Sequence, residues 1–110
     1  MTTEDCRQYL ITNWSPKIKA QYEEVDPVAT EEDKKYSQKV IKDAFNPKKW
    51  KRVMKYNVGS NTDQENCDYG SDPKYVGGVV RAFYLQGTDH ITINLIEKDG
   101  QIIADEDMGD

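Results

Sequence analysis

The segment Lys48-Lys49-Trp50-Lys51-Arg52-Val53-Met54-Lys55-Tyr56 is the part of this chain whose residue types could do the most chemistry. Cations neutralise phosphates and aromatic faces stack on bases, so interleaving the two is what a nucleic-acid surface needs. If the segment is a strand, however, alternation separates Lys51 and Lys55 from Trp50 and Tyr56. The aromatics then belong to the core and the lysines form a solvated face; the candidate binding residues are Lys48, Lys49, Trp50, Lys51, Arg52 and Lys55. Such a face also suits an acidic protein surface.

The single histidine, His90, follows Asp89 at a turn, and a histidine beside a carboxylate can act as a general base. Arg81 and Tyr84 are the nearest polar groups that could complete a small site with it. Three residues apart on one strand, those two point to opposite faces. A surface histidine at a turn is therefore the plainer reading, and no catalytic residue is assigned.

The metal readings fail on composition. Cys6 and Cys67 with one histidine cannot complete a zinc site, and neither cysteine has CxxC spacing. Asn61, Asp63 and Glu65 alternate as in a calcium loop. Asn66 stands where that loop needs glycine, Asp72 replaces the closing glutamate, and the flanks read as strands. A solvated acidic loop is the better description. Gly77-Gly78 lies in a strand-like run and forms no phosphate cradle. No cofactor and no metal are expected.

Charge is divided unevenly along the 110 residues. Residues 31–61 hold nine bases and four acids; residues 62–110 hold eleven acids and three bases. The whole chain is acidic, at −5, which disfavours non-specific binding to nucleic acids or membranes while leaving a local basic patch. Met1 to Leu10 lacks the apolar core of a signal peptide, and no run approaches a membrane span. Two cysteines make no disulfide framework. The expected setting is cytoplasmic.

The elements that must position these groups change character halfway along. Cys6, Tyr9, Leu10 and Trp14 share one helical face over residues 4–13. Ser15-Pro16 marks a second start or a bend, continued by Ile18, Tyr22 and Val25 until Asp26-Pro27. Thr30 caps a third helix, with Asp33 at capping-box spacing and an apolar stripe of Tyr36, Val40, Ile41, Ala44 and Phe45. Asn46-Pro47 stops it.

Strand patterns follow. Trp50 to Val58 alternates, with Arg52 on the apolar side, as at an edge or rim. A polar loop runs from Gly59 to Lys74, and Tyr75 to Gln86 is a long strand. Residues 90–98 place Ile91, Ile93 and Leu95 on one face. Asp99-Gly100 is a type I′ hairpin signal leading into Gln101 to Asp105, and 106–110 reads as a frayed acidic tail.

The sequence therefore predicts one α+β domain. Two or three N-terminal helices pack on one face of a C-terminal four-stranded antiparallel meander. Helices followed by a meander resemble the cystatin-like and NTF2-like arrangement in topology. That resemblance implies either a small-ligand pocket or an interaction sheet, and it carries no site residues.

Three functions compete. The expected one is a non-enzymatic interaction or regulatory protein, of adaptor, inhibitor or immunity type, binding a protein partner through its charge-asymmetric surface. The second is an NTF2-like pocket lined by Tyr9, Trp14, Tyr36, Trp50, Tyr84 and His90, with Arg81, Tyr84 and His90 as its polar groups. The third is nucleic-acid binding through residues 48–56, which the acidic whole disfavours. An exposed sheet edge could also support a homodimer.

Overall fold

The computed structural model describes residues 1–24, 27–59, 72–88 and 91–108. Elements run in the order α1 (Thr3–Asn13), α2 (Ser15–Glu23), α3 (Glu31–Ala44), a 3₁₀ turn (Pro47–Lys49), β1 (Trp50–Asn57), β2 (Val79–Leu85), β3 (Thr92–Lys98) and β4 (Gln101–Asp107). Helices and strands are segregated along the chain, as in an α+β fold.

The described residues divide into two compact units. One holds residues 2–51 and 85–88. Its helices begin where their capping chemistry dictates. Thr2 and Thr30 each form a full capping box with the acid three residues on, Asp5 and Asp33, which satisfies two otherwise orphaned N–H groups at each start. At Trp14 the first two helices meet with the backbone still right-handed. Trp14 N–H donates to Leu10 O and Ile18 N–H to Trp14 O, so the sequence's second start is a bend in a nearly continuous pair. Pro16 sits in the first turn of α2, where its missing N–H is not needed.

Helix α2 packs on both α1 and α3. Cys6, Leu10, Ile18, Val40 and Ala44 are buried, and full burial of a large aliphatic such as Leu10 stabilises by about 2 kcal/mol. The stripe predicted on α3 holds only in part. Tyr36 and Phe45 are 41% and 42% exposed. Phe45 is the residue at which the chain leaves the helix, with φ −91° and ψ 2°, so its side chain no longer follows the helical period.

The other unit holds Met1 and residues 52–59, 72–84 and 91–108. It is a meander with strand order β1-β2-β3-β4. Val80 opposes Ile96, Ala82 opposes Asn94 and Tyr84 opposes Thr92, all on one face; Arg81 opposes Leu95 and Phe83 opposes Ile93 on the other. Val58, Val80 and Ile96 form a cluster on the first face, with Tyr56, Tyr75 and Ala104 packed against it.

Three strand limits depart from the sequence reading. Strand β2 starts at Val79 rather than Tyr75, because the chain turns through residues 73–77 and Gly77 takes a positive φ of 89°. Strand β3 is assigned from Thr92, Ile91 is irregular, and His90 lies outside the described residues. Strand β4 continues to Asp107, so Glu106 and Asp107 pair within the sheet, opposite Asn94 and Ile93. The Asp99-Gly100 hairpin is formed as the dipeptide predicts, with φ of 55° and 79°.

Candidate functional site

Strand β1 is an edge of the sheet, and it is unusually bare. From Lys51 to Lys55 every residue is exposed. Val53 is 56% exposed and Met54 39%. An ordinary edge strand hides one face, and the sequence pattern predicts a buried side here carrying Met54. The difference follows from position. Tyr56 and Val58 share the Val80–Ile96 cluster, so alternation puts Met54 and Arg52 on that same face, beyond the reach of the cluster. Val53 and Lys55, with Lys51 before them, take the opposite face.

Among the described residues, ion pairs engage Arg7, Lys19, Lys34, Lys39, Arg81 and the Met1 ammonium, but not Lys51, Arg52 or Lys55. Just before the strand, Lys48 is exposed and Lys49 half-buried. Lys48 N–H donates to Asn46 Oδ1 at 3.0 Å, and Lys49 O accepts from Gln86 N–H at 2.8 Å.

Trp50 is different. It is fully buried, its indole Nε1–H donates to Ala44 O at 2.9 Å, and its own carbonyl accepts from Arg7 Nε at 2.9 Å. An indole held this way has no face to offer a nucleobase. The interleaving of cations with stackable aromatics that the sequence suggests is therefore lost at Trp50.

The proposed polar trio does not assemble. Arg81 is 7% exposed and engaged: Nη1 donates to Glu97 Oε1 at 2.5 Å and Nη2 to Met1 O at 3.3 Å, while the Met1 ammonium lies 3.7 Å from Glu97 Oε2. The hydrogen bond from Arg81 holds the Glu97 carboxyl below its ordinary value, against the opposing pull of burial. Tyr84 stands on the opposite face from Arg81. His90 and Cys67, with the candidate calcium positions Asn61, Asp63, Glu65 and Asp68, lie outside the described residues, while Asp72, the closing position, accepts from Lys74 N–H at 3.1 Å. Cys6 is fully buried, as its place on the apolar helix face implies. Among the described residues no three histidine, cysteine or acidic side chains gather as metal ligands.

Of the expected pocket lining, Tyr9, Trp14, Tyr36 and Trp50 belong to the helical unit, Tyr84 to the sheet unit, and His90 lies outside the described residues. A cleft of about 480 Å³ lies between the end of α2 and α3, beside Tyr22, Val28, Ala29, Ser37 and Ile41. Sequence reasoning also missed the Arg81–Glu97 pair. Its signal was a lone arginine inside the apolar run Val79-Val80-Arg81-Ala82-Phe83, which needs a buried counter-charge.

Compared with known proteins, the chain matches no family model, no curated protein and no solved structure. The cystatin-like and NTF2-like likeness rests on the order of helices and strands alone.

Proposed function

We propose that this chain is an interaction protein whose basic edge strand β1 receives an acidic protein partner. The observation that carries this reading is the exposure of Arg52, Val53, Met54 and Lys55 on both faces of one edge strand, with both cations lacking a carboxylate partner among the described residues. An edge strand offers a row of backbone donors and acceptors, and natural edges are commonly blunted by lysine. Blunting alone does not explain why Val53 and Met54 stand exposed between the cations. Apolar groups rimmed by charge are the composition of a recognition surface. The burial of Trp50 argues against nucleic acid as the occupant, since base stacking would have to come from elsewhere.

The test compares wild type with an Arg52→Glu/Lys55→Glu variant as bait in a native lysate at two salt concentrations. A partner reading through this edge requires acidic proteins that are retained by wild type at low salt, released at high salt, and not retained by the variant. Identical, salt-insensitive capture by both baits would remove it.

A further inference from the structure

The acidic-partner reading leaves open how the partner binds, and the residue pattern of β1 narrows that. Arg52 and Lys55 bracket Val53 and Met54, so the strand reads cation, apolar, apolar, cation. By alternation Arg52 and Met54 lie on the face of the Val58–Val80–Ile96 cluster, and Val53 and Lys55 lie on the other. A strand laid along this edge places its residues directly opposite these four, and cross-strand neighbours on one face are the pairs that interact. The favourable complement is an acid opposite Arg52, apolar residues opposite Val53 and Met54, and an acid opposite Lys55.

We propose that β1 binds its partner by strand addition, and that the segment recognised is extended with the pattern acid–apolar–apolar–acid. The inference rests on the acidic-partner reading. The pattern is the same in both directions, so parallel and antiparallel addition select the same segment. Main-chain bonds supply the attachment and the four side-chain pairs supply the selection, as in other strand-adding recognition modes. Val53 and Met54 gain apolar neighbours on opposite faces, which accounts for both being exposed in the absence of a partner. A second copy of this chain fits less well. Only Asp107-Met108-Gly109-Asp110 approaches the pattern in the 110 residues, and it has glycine, with no side chain to pair, at the second apolar position.

The experiment titrates the full chain, by amide NMR with hydrogen exchange, with three blocked peptides: Ser-Glu-Val-Ile-Glu-Ser, its isomer Ser-Val-Glu-Glu-Ile-Ser, and the charge-swapped Ser-Lys-Val-Ile-Lys-Ser. Strand addition requires the first peptide to slow exchange of the amides of Arg52–Lys55 that face away from β2. It also requires the isomer, equal in charge and composition, to bind about tenfold more weakly. The Arg52→Glu/Lys55→Glu variant should lose the first peptide and gain the charge-swapped one. Both side chains are exposed and unpaired among the described residues, so its unfolding midpoint should match wild type.

Equal, salt-sensitive binding of the first two peptides overturns strand addition and leaves the acidic-partner reading standing. So does the absence of peptide binding at low salt while lysate capture remains edge-dependent. Failure of both experiments removes both proposals. Protection of the same amides by raising the protein concentration alone would assign the edge to a second copy and overturn the proposal too.

Discussion

The Arg81 guanidinium and the Glu97 carboxylate meet at 2.5 Å across the two central strands, on a diagonal rather than directly opposite. Arg81 faces Leu95 and Glu97 faces Val79, so each charge reaches two register positions along, to the next pair on the same face. Both side chains are largely buried, at 9% and 14% exposure. Such a pair adds little net stability over a well-packed apolar pair, because both ions are desolvated. Removing one partner alone leaves the other charge stranded.

Breaking this pair should be costly and removing it whole should not. Glu97→Gln keeps the shape and deletes the charge that Arg81 requires. A loss of about 3 kcal/mol in unfolding free energy is expected at neutral pH. Arg81→Met leaves the carboxylate with only the Met1 ammonium, 3.7 Å away, and should cost less than Glu97→Gln does. The double variant Arg81→Met/Glu97→Leu should recover most of either loss. Urea unfolding of the four proteins measures this, and additive losses in the double variant would contradict it.

The same pair sets a pH dependence. Arg81 holds Glu97 below its ordinary 4.5, mainly through its hydrogen bond, with its charge and the Met1 ammonium acting in the same direction. The unfolded chain therefore takes up the proton first as pH falls. The stabilisation is fully present above pH 4.5 and is lost as pH drops through the lower folded value. Asp5 behaves in the same sense, lowered from 3.8 by its hydrogen bonds with Thr2. Acid titration of stability should be visibly shallower in Glu97→Gln than in wild type, and parallel curves would assign the acid sensitivity elsewhere.

Two glycines should separate close approach from backbone strain. A Cβ on Gly78 would lie 2.9 Å from Tyr75 O and 3.0 Å from Glu97 O, both main-chain atoms. Gly78→Ala must push the β2 approach away from β3, at a cost of about 2–3 kcal/mol. A Cβ on Gly100 meets nothing within 4 Å, but its φ of 79° is left-handed. Gly100→Ala should cost only that strain, about 1 kcal/mol. Thermal unfolding of both variants tests the order, and equal midpoints would show that the β2 entry yields.

What the sequence displays depends on how local the cause is. Thr30 and Asp33 sit three residues apart, and the capping box they imply is formed, because everything it needs lies within one turn. Asp99-Gly100 is legible for the same reason. The bareness of β1 is legible only in part, through Arg52 on its apolar side, which marks an edge or rim. Its alternating pattern is that of a half-buried strand, and only its place at the end of the β1-β2-β3-β4 order leaves Met54 and Val53 uncovered. The partner of Arg81 was hidden likewise, since pairing it with Glu97 requires the β2–β3 register, which no local signal announces. The sequence does mark the basic segment as distinctive, but its division into a sealed Trp50 and an exposed Arg52–Lys55 comes from the fold.

That sealing of Trp50 depends on one carbonyl. Ala44 O, the last of α3, accepts both the Trp50 indole N–H at 2.9 Å and the Ser15 hydroxyl, and all three residues are fully buried. A carbonyl at a helix C-terminus has no partner within its own helix, and buried without one it is expensive. Either donor alone satisfies it. Ser15→Ala should therefore cost about 1 kcal/mol. Trp50→Phe should cost about 2–3 kcal/mol, from lost packing and one lost bond. In the double variant the carbonyl is left with neither donor, so the combined loss should exceed the sum of the single losses by about 1 kcal/mol. A double-mutant cycle from denaturant unfolding measures that coupling. Strict additivity would mean that the carbonyl finds another donor when both are gone, and that Trp50 is held by packing rather than by its bond to α3.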